Sequence, residues 1–182
     1  QVSGTGPMML DFYRLLPGSQ GSMGIVTWAS LKCEAASPLH AMHLVPASKA
    51  EDLIDFVYRV TRLRLGSEML ILNRAALAAL VADDAAGMAK LAADMPAWAA
   101  LVGISGQSIL PEKRVRTQTL DIAEIAQQFG LKLLPSLPGL SGEKVYAKVT
   151  GTGGASSWKK KAKGSFAELF FTTTLDRFPE FG

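Results

Sequence analysis

The stretch LHAMHLVPASKAEDLIDFVYRVTRLRLGSEMLILN, residues 39–73, carries the strongest fold signal in the chain, because it predicts a strand, a helix and a second strand in succession. Ser48 followed by Glu51 has the spacing of a capping box and predicts a helix that begins near Lys49. Apolar residues then recur at steps of three and four, which places them on one buried face: Leu53, Ile54, Val57, Val60 and Leu63. Gly66 ends the helix, and EMLILN, residues 68–73, predicts the second strand.

The same order of elements returns after an alanine-rich segment, residues 75–95, which predicts a helical region. Residues 97–106 predict a strand, residues 111–129 a helix and residues 131–136 a further strand. Pro111 suits the first turn of that helix and Gly130 its C-terminal cap. The helix has an apolar stripe of Val115, Ile122, Ile125, Ala126 and Phe129. Two strand–helix–strand units on one sheet predict an α+β fold of the ferredoxin-like type, an antiparallel sheet with helices on one face.

The segments that flank these units predict less regular structure. A strand is expected over residues 24–33, and the small residues and proline of EAASP, residues 34–38, indicate a boundary. Residues 137–157 are rich in glycine, proline, serine and threonine and predict a long loop. A last strand is expected over residues 169–175, followed by a turn at a proline.

Composition limits the class of protein. The chain has 182 residues, 48% of them hydrophobic, and a formal net charge of +3, so it can bury a substantial core. The single cysteine, Cys33, excludes an internal disulfide and a cysteine-based zinc cluster and fits a reducing compartment. No stretch reaches the roughly 18 consecutive apolar residues of a membrane-spanning helix, and the chain does not begin with a charged leader. We therefore expect a cytoplasmic location.

The glycine-rich stretch PGSQGSMGIVT, residues 17–27, admits two interpretations: a tight turn, or a backbone that closely approaches a ligand. It is not a dinucleotide fingerprint, because its glycines precede strand-forming residues instead of opening a helix. It is not a P-loop either, because the Lys-Ser/Thr pair that would contact phosphate and magnesium is absent.

This stretch resembles a motif of the vanillyl-alcohol oxidase and p-cresol methylhydroxylase superfamily of FAD-linked oxidoreductases. The family motif Gly-Ser-Glu-Gly-Thr-Leu-Gly-Ile-Val-Thr agrees with residues 18–27 at seven of ten positions. Gln20 and Met23 depart from the hydroxy-acid dehydrogenase branch and are similar to the aromatic-alcohol and 4-alkylphenol branch. LRLGSEMLILN, residues 63–73, and AWAALVGISG, residues 97–106, resemble segments of the cap domain of that branch, whereas Gly18 and DFYRLLPG, residues 11–18, look closer to the hydroxy-acid branch.

The resemblance implies a division of the chain and a cofactor. Residues 1–36 would be the C-terminal segment of a PCMH-type FAD-binding domain, and residues 37–182 most of the substrate cap domain. The segment that contacts FAD would be Gln20, Gly21, Ser22, Met23, Gly24, Ile25 and Val26. The chain would then be part of an enzyme that oxidises a small alcohol, a 2-hydroxy acid or a para-substituted phenol by hydride transfer to flavin. Its partners would be the small-molecule substrate and the remainder of the FAD-binding domain, with a homo-oligomer also possible.

The catalytic residues of this chemistry cannot be identified in the sequence, and the other polar candidates have simple structural interpretations. His40 and His43 would point to opposite faces of a strand, so we expect no metal site. Asp83 and Asp84 are expected at a solvated helix end. Arginines could bind a carboxylate or phenolate but more often form surface salt bridges; the candidates are Arg14, Arg62, Arg64 and Arg74, together with Tyr13.

Two further functional classes compete with the flavoenzyme hypothesis. One is a stand-alone ferredoxin-like binding module in which the glycine turn is purely structural. The other is a nucleic-acid binder that uses the lysines of WKKKAKG, residues 158–164. A single short basic run is more often a solvated loop, so we expect no nucleic-acid partner.

Overall fold

A computed structural model describes residues 19, 21–33, 35–107, 109–151 and 172–181. The chain divides into two compact units, Gln1–Ala35 and Ala36–Gly182. The larger unit contains all the helices and strands of the described residues. The first of them are β1 (Leu39–Ala47), α1 (Glu51–Arg62), β2 (Glu68–Asn73), α2 (Arg74–Val81), α3 (Ala85–Asp94) and β3 (Trp98–Gly106). The remainder are α4 (Pro111–Gln128), β4 (Ser136–Leu137), β5 (Leu140–Ser141), α5 (Gly142–Thr150) and a 3₁₀ helix (Leu175–Phe181).

The main sheet has three strands in the order β1-β3-β2. Both outer strands run antiparallel to β3, so β1 and β2 run in the same direction on either side of it. The expected strand over residues 131–136 is reduced to one bridge, in which Leu44 and Leu134 exchange backbone hydrogen bonds of 2.8 Å. Pro135 follows at once, and proline cannot donate to a ladder.

The mixed α/β architecture and the antiparallel sheet are confirmed, but helices cover both faces of the sheet instead of one. Along β1, Val45 and Ala47 face one core, which α1 and α4 cover, whereas Met42 and Leu44 face a second core, which α2 and α5 cover. Strand β3 alternates in the same way, with Ala100, Val102 and Ile104 in the first core and Ala99 and Leu101 in the second. A strand that is apolar on both faces needs a packed layer on each side.

The capping signals of the sequence predict the ends of α4 but not the start of α1. The expected capping box at Ser48 is wrong, since the residue before α1 is Ala50 and its side chain forms no capping hydrogen bond. Instead, the Asp52 carboxylate accepts a hydrogen bond of 3.1 Å from the backbone N–H of Lys49. At α4 the predictions are confirmed: Pro111 opens the helix, and Gly130 follows its end with a φ of 71°.

The alanine-rich segment forms two helices because Asp84 starts a new one. Its Oδ1 accepts a hydrogen bond of 2.6 Å from the N–H of Gly87. We expect Asp84→Ala to lower the free energy of unfolding by about 1 kcal/mol, the usual effect of losing an N-cap. Urea denaturation measures this, with Asp94→Ala at the other end of α3 as a control that should change stability by less than about 0.5 kcal/mol. An equal loss in both variants would contradict the capping role.

The prediction of a long loop over residues 137–157 is wrong where the structure describes it. Strands β4 and β5 form a short hairpin, and Ser141 caps α5 by accepting a hydrogen bond of 3.2 Å from the N–H of Lys144. Of the strand expected over residues 169–175, residues 169–171 lie outside the described residues, residues 172–174 have no regular structure, and Leu175 begins the 3₁₀ helix. None of the helices in the described ranges is long and apolar enough to cross a membrane.

Candidate functional site

Within the smaller unit, the family-like segment forms a glycine turn. The backbone N–H of Ser22 donates a hydrogen bond of 2.9 Å to the carbonyl of Ser19, and the Ser22 hydroxyl donates to the same oxygen at 2.7 Å. Gly21 and Gly24 have φ angles of 85° and 139°, which side-chain-bearing residues rarely adopt. A Cβ built on either glycine meets no atom of the described residues within 4 Å. Among these residues, the turn therefore leaves open space beside its backbone.

The segment after the turn is extended and presents large apolar side chains to solvent. Ile25 is 92% exposed, Trp28 81% and Leu31 82%. No backbone hydrogen bond joins residues 24–33 to another described residue. The expected strand over these residues is accordingly not formed in the described part of the chain, because a strand requires a neighbour to complete its ladder.

Gly21, Ser22, Met23, Gly24, Ile25 and Val26 all lie in the exposed segment, whereas Gln20 lies outside the described residues. Backbone N–H groups in a glycine turn favour an anionic or polar ligand edge. Exposed apolar side chains beside them could pack against a ring system.

The two histidines of β1 have different surroundings. The His40 Nδ1 lies 3.0 Å from the Ser105 hydroxyl oxygen, and the His40 ring stacks on Tyr146 with a centroid distance of 4.9 Å. His43 is half-buried, and its Nδ1 has no hydrogen-bond partner in the part of the chain that the structure describes. Among the described residues, no three histidine, cysteine, aspartate or glutamate side chains are grouped as a metal site would need.

Burial lowers the pKa of His43 below its ordinary value of 6.5. As the pH falls below 6.5, His43 takes up a proton in the unfolded chain before it does so in the folded chain. The stabilisation that this difference gives is therefore complete above pH 6.5 and is lost as the pH falls towards the lower pKa of the folded state. We expect the free energy of unfolding to fall by at most about 1 kcal/mol from pH 7.5 to 5.5, allowing for solvent screening of a half-buried ring. Urea titrations of wild type and His43→Gln test this. An undiminished pH dependence in the variant would assign it to another group.

The remaining sequence candidates are dispersed. Asp84 caps α3, and Asp83 pairs with Lys148 at 3.1 Å, as expected for a helix end. The expected salt bridges of Arg62, Arg64 and Arg74 are not formed with any other residue that the structure describes. Tyr13, Arg14 and the lysines of residues 158–164 lie outside the described residues.

Sequence reasoning missed the contact of His40 with Ser105 and Tyr146. The sequence carried part of this signal: residues 39–48 and 97–106 are both predicted as strands, but pairing His40 with Ser105 requires knowledge of how the two strands are aligned. Tyr146 belongs to a segment that is predicted as a loop. Nothing in the sequence therefore indicated that α5 would place Tyr146 beside His40.

Comparisons with known proteins add no relatives: no protein-family model, no curated protein and no solved structure matches the chain. The fold and the geometry of the described residues therefore carry the functional argument together with the sequence motif.

Proposed function

We propose that this chain is part of an FAD-dependent oxidoreductase that oxidises a small alcohol, a 2-hydroxy acid or a para-substituted phenol. The observation that carries the proposal is the glycine turn, in which Gly21 and Gly24 have positive φ and open space beside their Cα atoms. It coincides with the segment that agrees with the family motif at seven of ten positions. Gly130, which ends a helix, also combines positive φ with open space, so it is the coincidence of the turn with the family motif that supports a ligand at residues 20–26.

In this proposal, residues 20–26 form one wall of the cofactor site. The backbone groups of Gly24, Ile25 and Val26, which bond no other described residue, would hydrogen-bond the cofactor. FAD, when bound, supplies an isoalloxazine ring that accepts a hydride. The exposed side chains of Met23 and Ile25 would exclude water from the ring system.

The larger unit would then be the cap domain, with a ferredoxin-like arrangement. Two observations support this assignment. Strands β1 and β2 flank β3 while α1 connects them, which is the split strand–helix–strand unit of that fold. The bridge at Leu134 lies beside β1, where a fourth strand would extend the sheet.

A second candidate is a stand-alone ferredoxin-like binding module without catalysis. It is favoured by the two apolar cores of the larger unit, which pack both faces of the sheet with residues of that unit alone. This candidate requires no flavin.

The two candidates are separated by analysing the full-length protein that carries this chain. The protein is purified and denatured, and flavin is measured by absorbance and fluorescence in the supernatant and in the pellet. Flavin in the supernatant was bound non-covalently, whereas flavin in the pellet is covalently attached. The proposal expects about one flavin per chain and bleaching of its visible bands when an oxidisable alcohol, 2-hydroxy acid or alkylphenol is added without oxygen. A folded protein without flavin would favour the binding module.

A further inference from the structure

The loop between β3 and α4 ends in two large apolar residues that are exposed to solvent. Ile109 is 81% exposed and Leu110 64%. Directly after them, the first two turns of α4 carry three exposed cations: Lys113, Arg114 and Arg116. We propose that residues 109–116 bind the surface of a membrane that contains anionic phospholipids.

The start of α4 departs from what helix stability alone would select. Leu110 precedes the helix with a φ of 51° and a ψ of 55°, a left-handed conformation that is unfavourable for leucine, and its side chain forms no capping hydrogen bond. Cations favour the last turn of a helix, where the dipole is negative, yet α4 has none there and carries them at its beginning. Departures of this kind are expected where residues are kept for a function.

The three cations are available to an external anion. Lys113 and Arg116 form no ion pair with another described residue. The Arg114 guanidinium donates a hydrogen bond of 3.1 Å to the Gln107 side chain, a neutral group that leaves its charge uncompensated. Within residues 109–116, three cations stand against one carboxylate, that of Glu112, so the net charge of the segment is +2.

The order of apolar and charged residues matches the depth profile of a lipid surface. With a rise of about 1.5 Å per residue, the cations lie about 4–9 Å behind Leu110 along the axis of α4. Interfacial segments place their apolar side chains about 5–10 Å into the boundary between headgroups and acyl chains. The cations would then reach the phosphate layer while Ile109 and Leu110 enter the apolar region. A nucleic acid would neutralise the cations but leave both apolar side chains in water.

The test is co-sedimentation of the full-length protein that carries this chain with two kinds of vesicle. One is phosphatidylcholine alone, and the other contains equal parts of phosphatidylcholine and phosphatidylglycerol. We expect partitioning to the anionic vesicles to be at least about tenfold stronger, since each cation near such a surface contributes on the order of 1 kcal/mol, which is about fivefold in binding. Raising the ionic strength from about 0.1 M to about 1 M should remove most of this preference.

Two variants separate the apolar contribution from the charge. Ile109→Ser combined with Leu110→Asn should weaken partitioning to anionic vesicles at least about tenfold, because two aliphatic side chains no longer leave water. Asparagine tolerates the left-handed backbone, so the fold is retained, which circular dichroism checks. Gln at residues 113, 114 and 116 together should abolish the preference for anionic lipid. The matched control, Met88→Gln with Lys90→Gln on α3, changes an exposed apolar residue and an exposed cation and should bind as wild type.

A further control replaces the lysines of residues 158–164 with glutamine and should keep the preference for anionic vesicles. The proposal is overturned by equal partitioning to both kinds of vesicle, or by a preference that disappears with these lysines. It is also overturned by a folded variant at residues 109 and 110 that binds as wild type, which would indicate contact with a soluble polyanion through the cations alone.

Discussion

A Gly142→Ala chain is expected to lose about 3 kcal/mol of unfolding free energy, at the upper end of what overpacking produces. A Cβ at this position would collide with the Met42 carbonyl group and would lie 3.0 Å from the Pro135 carbonyl oxygen. Both neighbours are backbone atoms held in place, since Gly142 donates a hydrogen bond of 2.9 Å to Pro135 and Met42 belongs to β1. The added methyl group therefore forces α5 away from the sheet.

The consequence extends to the second core, which α5 helps to close with Val145. Urea denaturation monitored by circular dichroism gives the loss, and Gly130→Ala is the matched control. Gly130 has a φ of 71°, but no described atom lies within 4 Å of an added Cβ. Its replacement should therefore lower the free energy of unfolding only by the strain of a left-handed backbone conformation, about 1–2 kcal/mol. If Gly142→Ala were no more destabilising than Gly130→Ala, the close approach of α5 to β1 would be incorrect.

Replacing Gly24 with valine in the full-length protein is expected to reduce bound flavin at least about tenfold, a loss of roughly 1.4 kcal/mol or more in binding. Two effects combine. The φ of 139° is unfavourable for a β-branched residue, and the side chain would occupy the open space beside the backbone. A cofactor that needs close contact with this backbone would then be excluded.

The control for this variant is Met23→Leu. Met23 is 58% exposed, and leucine is the residue of the family motif at that position, so flavin content should be unchanged. A loss of flavin in both variants would indicate general damage to the turn instead of a contact at Gly24.

Much of the larger unit could be predicted from the sequence because local signals agreed with the final packing. Residues 68–73 were predicted as a strand and form β2 with the same bounds, and Pro111 and Gly130 mark the ends of α4. Ser48 misled because the helix begins later than its capping box would place it, and the side chain that reaches back to the backbone is that of Asp52, which bonds the N–H of Lys49.

Other features had no local signal. Helix α5 lies in a segment rich in glycine and serine, and its stability depends on Val145 reaching the second core, a long-range contact. The apolar residues of β1 and β3 predicted strands, but the predicted fold placed helices on one face of the sheet only, whereas both faces are covered. The contact between His40 and Ser105 joins residues 65 positions apart and depends on the register of β1 and β3.

The most direct test of the central claim is the absorbance spectrum of the full-length protein and its Gly24→Val variant, recorded at equal protein concentration. We predict flavin bands in the blue region of the visible spectrum for the parent protein and the Met23→Leu control, and their loss in the folded Gly24→Val variant. A folded parent protein without flavin bands, or a Gly24→Val variant that retains them in full, would contradict the assignment of residues 20–26 to the cofactor site.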